Sequence, residues 1–80
     1  MSSWNYRIIE EDYPIYKEKD FQIREVYYNK DGTIFAISKD PVSAHGSTKK
    51  ELKKDMDLMM GAFKRSVLKK DKIVFKSKKE

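Results

Sequence analysis

Only one stretch of this chain carries the periodicity of a helix: His45–Arg65, HGSTKKELKKDMDLMMGAFKR. At ~100° per residue, Leu52, Met56, Met59, Met60, Phe63 and Val67 fall on one side. Lys50, Lys53, Lys54, Asp57, Lys64 and Arg65 lie opposite. The start is marked at Ser47 or Thr48, because Thr48 and Glu51 form a capping box. In such a box the hydroxyl bonds a free N–H and the carboxylate reaches back. Gly61 falls on the polar side and weakens the helix by ~1 kcal/mol relative to Ala. A chain of 80 residues with one helix has one helical cover to offer. Any sheet it builds must use that cover.

The remaining apolar segments read as strands. Trp4–Ile8 alternates large apolar with polar residues, which is the period of a half-buried strand. Glu10-Glu11-Asp12-Tyr13-Pro14 breaks the pattern. Ile15 and Tyr16 either extend the strand's end or pack back as a loop, and Lys17–Asp20 reads as an exposed turn. Phe21–Tyr28 is the second strand, with Phe21 and Ile23 on one face and Val26 and Tyr28 on the other. The pattern slips at Arg24-Glu25. Either both faces are partly covered, or a bulge there restores one apolar face. The bulge is preferred, because so small a chain has little material for a second cover. Asn29-Lys30-Asp31-Gly32 is a turn, and Thr33–Ser38 pairs antiparallel with the second strand. Asp40-Pro41 ends it, and Val42–Gly46 is a connector.

The expected fold is α+β: a three-stranded antiparallel sheet covered on one face by a single C-terminal helix. A short fourth strand is an option at Ile73-Val74-Phe75, at an edge, after a turn at Lys69–Lys72. Residues 1–75 make one domain, and 76–80 a frayed basic tail. The methionine-rich stripe packs on some of Trp4, Tyr6, Ile8, Phe21, Ile23, Ile34 and Ala36. Methionines at helical spacing also mark adaptable binding surfaces. Core is the favoured reading here, since the sheet needs its cover.

Converging catalytic groups are not in evidence. His45 is the single histidine and there is no cysteine. Nucleophilic triads and His- or Cys-built metal sites are therefore short of parts. The run Glu10-Glu11-Asp12 reads as a solvated acidic turn, and no phosphate-binding glycine loop is present. No catalytic activity, cofactor or metal is expected. The first residues lack the basic and apolar regions of a secretory signal. No apolar run reaches the ~20 residues that span a bilayer. A soluble, cytoplasmic protein is the expectation.

Charge is unevenly spread. Residues 1–40 carry 6 basic and 8 acidic side chains, and residues 41–80 carry 12 and 5. A basic half raises the prior for nucleic acid or an acidic partner. Gly46-Ser47-Thr48-Lys49-Lys50-Glu51-Leu52-Lys53 resembles the signature of the double-stranded-RNA-binding domain. There a three-stranded sheet precedes a helix opening with Ser-Lys-Lys-x-Ala-Lys. That resemblance implies a nucleic-acid contact through Lys49, Lys50, Lys53 and the neighbouring Lys54, assisted by the helix dipole.

A second resemblance covers more of the chain. Three strands, a helix opened by Gly-Ser/Thr and a short last strand are similar to the HicB-type antitoxin fold. Trp4-Asn5-Tyr6-Arg7, Glu25-Val26-Tyr27-Tyr28, Asp40-Pro41-Val42 and Leu52–Met60 also resemble a set of small bacterial proteins. This resemblance implies a protein-binding role. The antitoxins usually add a C-terminal DNA-binding element, for which Lys69–Glu80 is too short. The expected function is a small non-catalytic protein-interaction module, with nucleic-acid binding as the alternative. Trp4, Tyr6, Tyr27 and Tyr28 are the expected interface residues. A homodimer through the first strand's outer edge, or through a patch around Trp4, is one form the partnership takes.

Overall fold

The computed structural model of the chain describes residues 3–78. Ser3–Tyr13 forms β1 and Glu18–Tyr28 forms β2, an antiparallel hairpin in unbroken register from Ser3 opposite Tyr28 to Tyr13 opposite Glu18. The acidic run does not end β1 at Ile8, as the sequence suggests. Its side chains find partners across the ladder instead. Asp12 stands opposite Lys19, and Lys19 Nζ lies 3.5 Å from Glu10. Opposite charges across a ladder support the pairing. The turn is Pro14–Lys17 rather than Lys17–Asp20. Tyr16 N–H donates to Tyr13 O at 3.0 Å, with Pro14 in the position its fixed φ suits. Lys17 takes a positive φ of 54° to rejoin the strand.

The turn after β2 is as expected. Gly32 N–H donates to Asn29 O at 2.9 Å, and Gly32 has φ 87°, the left-handed conformation glycine adopts without strain. Strand β3, Ile34–Ile37, then pairs antiparallel with β2. Tyr28 faces Ile34 and Tyr27 faces Ala36, so Phe35 is the extra residue of a bulge. The bulge expected at Arg24-Glu25 is not there. Both sheet faces are covered, so no single apolar face had to be restored.

Helix α1 runs Lys49–Met60 and continues as a 3₁₀ turn over Gly61–Lys64. Thr48 Oγ1 accepts from Glu51 N–H at 3.1 Å, while the Glu51 carboxylate reaches back to Ser47 N–H at 2.8 Å. The expected extension to Val67 tightens at Gly61, a weak helix former. Gly46 packs under the first turn so closely that a Cβ there would stand 2.6 Å from Leu52 N.

The fourth strand lies earlier than expected. It is β4, Leu68–Lys69, and it pairs parallel to β1 at Ile9 and Glu10. The sheet is therefore mixed, in the order β3-β2-β1-β4. The edge of β1 that the sequence left open is partly filled. From β4 the chain turns through a 3₁₀ segment, Lys70–Lys72, and crosses to the opposite edge. There Lys76 N–H donates to Ile34 O at 2.8 Å, and Asn29 Nδ2 donates to Ser77 O at 3.1 Å. Lys78 Nζ sits 5.6 Å from the centre of the Phe35 ring. Residues 79–80 of the basic tail lie outside the described residues.

This crossing segment covers the face that carries Arg7, Ile9, Glu11, Gln22, Arg24 and Val26. Arg7 Nη2 donates to Ser66 O at 2.6 Å, and Lys70 Nζ to Glu11 Oε2 at 3.0 Å. Ile9 and Val26 are 0% exposed and form the centre of the core. Arg24 is buried among them with all three nitrogens of its fork donating. Nε donates to Gln22, Nη1 to the carbonyls of Ser38 and Lys39, and Nη2 to Glu11. Lys70, then Gln22, hold the Glu11 carboxyl below the usual glutamate range. The helix lies on the other face, with Trp4, Tyr6, Ile8, Ile23 and Tyr27. Among the described residues, only Ile9, Val26, Met59 and Ala62 are apolar and buried. No described helix is long and apolar enough to cross a membrane.

Candidate interaction surface

The rotation of α1 about its axis decides what this molecule shows to its surroundings. Tyr6 Oη donates to Asp55 Oδ1 at 2.9 Å, and His45 N–H donates to Asp55 Oδ2 at 3.1 Å. Asp55 thus ties the helix to β1 and to the connector before it. Met59 and Ala62, one and two turns on, are buried. Positions 55, 59 and 62 share a helical face. That face lies one residue, or about 100°, away from the Met56–Met60–Phe63 stripe. The stripe is turned outward in consequence. Met60 is 61% exposed and Phe63 62%, and Met56 and Leu52 are exposed too. The expectation that Leu52, Met56 and Phe63 pack on the sheet is overturned. Two hydrogen bonds to one carboxylate fix the helix against its hydrophobic pattern.

The electrostatics of the anchor agree with its geometry. Burial first, then the Asp55 hydrogen bond and charge, push the Tyr6 phenol up to about 12. The His45 N–H first, then the Tyr6 hydroxyl, hold the Asp55 carboxyl below the usual aspartate range. The raised Tyr6 value means that the folded protein keeps this proton more tightly than the unfolded chain. Its stabilisation is therefore full below the ordinary phenol value of 10.0 and lost as pH rises through it toward about 12. Subtracting the phenolate absorbance titration of Tyr6→Phe from that of the native chain should leave one group with a midpoint near 12. A midpoint at the ordinary value would show that the anchor does not form.

Two recesses flank the anchor. On one side, a cleft of about 460 Å³ is lined by Tyr6, Glu25, His45, Glu51, Lys54 and Asp55 among others. Three of its acidic groups are already engaged: Asp55 by Tyr6 and His45, Glu51 by the Ser47 N–H, and Glu25 by Tyr27 Oη, which donates to Glu25 Oε1 at 2.6 Å and has its phenol lifted in consequence. On the other side, an apolar groove of about 270 Å³ runs between Ile23, Ala44, Met56, Met59 and Met60. Phe21 shares the sheet face of Ile23 and is exposed. Sequence periodicity finds Ile23, Met56, Met59 and Met60 but assigns them to the core, and leaves Ala44 in the connector.

The residues singled out from sequence fall in three places. Trp4 and Tyr6 meet edge to face at 5.1 Å, with Trp4 half exposed. Tyr27 stands opposite Trp4 on the same face, and its ring is 6.2 Å from Phe35. Tyr28 belongs to the opposite face, where its hydroxyl donates to Asn5 Oδ1 and accepts from Arg7 Nη1. Lys49, Lys50, Lys53 and Lys54 are all exposed on the first turns of α1, and Lys53 Nζ is 3.0 Å from Asp57. Among the described residues no group of three or more His, Cys, Asp or Glu is placed to hold a metal ion. Neither the family models, the curated proteins nor the solved structures give a match to this chain.

Proposed function

We infer that this chain is a small non-catalytic protein-interaction module that binds through the groove between α1 and β2. The observation that carries this reading is the outward turn of Met56 and Met60 beside Ile23 and Ala44, with Phe63 exposed further along the same stripe. An amphipathic helix normally buries its apolar side. Contiguous apolar surface left in water marks a contact site, and methionine suits one because its flexible thioether adapts to a partner. The HicB-type resemblance, carried by the residues of the sequence, points the same way. Binding a protein is what that resemblance implies.

Nucleic acid is the second reading, and the exposure of Lys49, Lys50, Lys53 and Lys54 on one helix start favours it. A photo-crosslinking benzoylphenylalanine placed at Met60 or at Lys50 in the full chain, irradiated in the native host, separates the two. Polypeptide adducts at position 60, and none at position 50, are expected. Duplex RNA or DNA should bind no tighter than the non-specific ~10⁻⁴–10⁻⁶ M at physiological salt. Tight duplex binding abolished by changing Lys49, Lys50 and Lys53 to Glu would instead establish the second reading.

A further inference from the structure

The β1–β2 hairpin reaches well past the body of the protein. Every residue from Asp12 to Phe21 is exposed. Its tip carries Ile15 at 90% exposure and Tyr16 at 72%. A two-stranded ribbon with no cover is marginal in water. A tip that presents isoleucine and tyrosine instead of the usual small polar turn residues is a poor choice for a solvated loop.

Global dimensions point the same way. The chain exposes 6348 Å². A compact monomer of 9.5 kDa exposes about 5,000 Å². The radius of gyration is 13.9 Å. About 11.6 Å is expected for 80 residues. The excess surface exceeds the roughly 800 Å² that each partner contributes to a standard interface. Among the described residues, the arm tip and the α1 groove both leave apolar side chains in water. They differ in charge. Residues 10–20 carry five acidic and two basic side chains, and residues 49–65 carry six basic and three acidic. The acidic arm and the basic helix are complementary. By strand rise the tip lies ~20 Å from Ile23, too far to fold back into its own groove while the ribbon stays paired.

We propose that the β1–β2 arm of one chain seats Ile15 and Tyr16 in the α1 groove of a second copy, and that the second copy returns the contact. The pairing is isologous: arm meets groove twice about one two-fold axis, and no open surface is left to propagate a fibre. It rests on the reading of the groove as a protein-binding surface and names the occupant. The lysines acquire a role in it, since from outside the contact itself Lys50, Lys53 and Lys54 draw the acidic ribbon of the other copy toward the helix. Screening by salt then weakens the association.

Sedimentation of the native chain at about 100 µM, a concentration that populates any dimer of micromolar Kd, tests it. A dimer is expected. An arm variant, Ile15→Asp with Tyr16→Asp, and a groove variant, Met56→Asp with Met60→Asp, should each be folded monomers, because all four positions are exposed. Mixed in equal amounts, the two variants should associate again, since one arm–groove contact of the mixed pair remains intact. A native monomer overturns the proposal, and so does a dimer that survives the arm variant. The crosslinking probe at position 60 tells the two failures apart. A monomer whose probe still captures another polypeptide keeps the groove as a protein-binding surface and loses only its self-association. A monomer whose probe captures nothing loses both.

Discussion

Arg24→Ala is expected to remove about 3–5 kcal/mol of folding free energy, the cost of breaking a buried, hydrogen-bonded charge. Arg24 is 5% exposed and donates from three nitrogens to four acceptors on three segments, β1, β2 and Ser38-Lys39. Its loss leaves the Ser38 and Lys39 carbonyls and one side of Gln22 without that donor. It also removes a partner of the Glu11 carboxylate. A chain of this length has ~4–12 kcal/mol to lose in all. Urea unfolding at neutral pH should show the midpoint falling by a large fraction or the transition vanishing. Arg24→Lys keeps the charge but not the planar fork, so it should recover only part of the loss. A change under about 1 kcal/mol for Arg24→Ala would mean that the network is a surface arrangement.

Ile9→Ala should cost about 2–5 kcal/mol, the range for deleting a large aliphatic side chain from a packed interior. Ile9 is fully buried and stands beside Leu68, where β4 joins the sheet. Ile9 and Val26 are two of the four buried apolar residues among those described, so little surrounding material can collapse into the space. Phe63→Ala supplies the contrast. Sequence periodicity places Phe63 in the core, where its truncation would be among the most damaging. Its exposed position predicts an effect within about 0.5 kcal/mol. Parallel unfolding curves of the two variants decide between the readings. Equal losses would mean that α1 packs on the sheet by its methionine stripe after all.

Local signals were legible. The strand, strand, strand, helix order, the Asn29–Gly32 turn and the Thr48 cap each depend on a few adjacent residues, and the structure places them where the sequence does. What escaped depends on distant residues. Ile8 and Ile9 are adjacent and both apolar, and alternation alone cannot say which faces the core. The decision lies with Leu68–Ser77, which cross the Ile9 face from far along the chain. The acidic run looked like a break because its partners Lys19, Gln22 and Lys70 are not neighbours. The rotation of α1 was hidden for a similar reason. Asp55 reads as a polar interruption of an amphipathic helix, and only Tyr6 and the His45 backbone, brought together by the fold, make it the anchor. The groove residues were visible throughout; their exposure was not.

The crossing segment also sets an order in time. A hairpin such as β1–β2 closes within ~1–10 µs, since its partners are near in sequence. The contacts of Arg7 with Ser66 and of Glu11 with Lys70 each join residues 59 apart. Closing a loop of that span costs about 3–4 kcal/mol of chain entropy before any contact offsets it. Ile9 and Val26 therefore stay wet until late in folding and are the first to be wetted when the segment lifts. The lifetime of the native state becomes the residence time of Leu68–Ser77 on one face of the sheet. Their departure would bare an unsealed β1 edge beside a hydrophobic surface, the state most open to proteolysis and to wrong pairing.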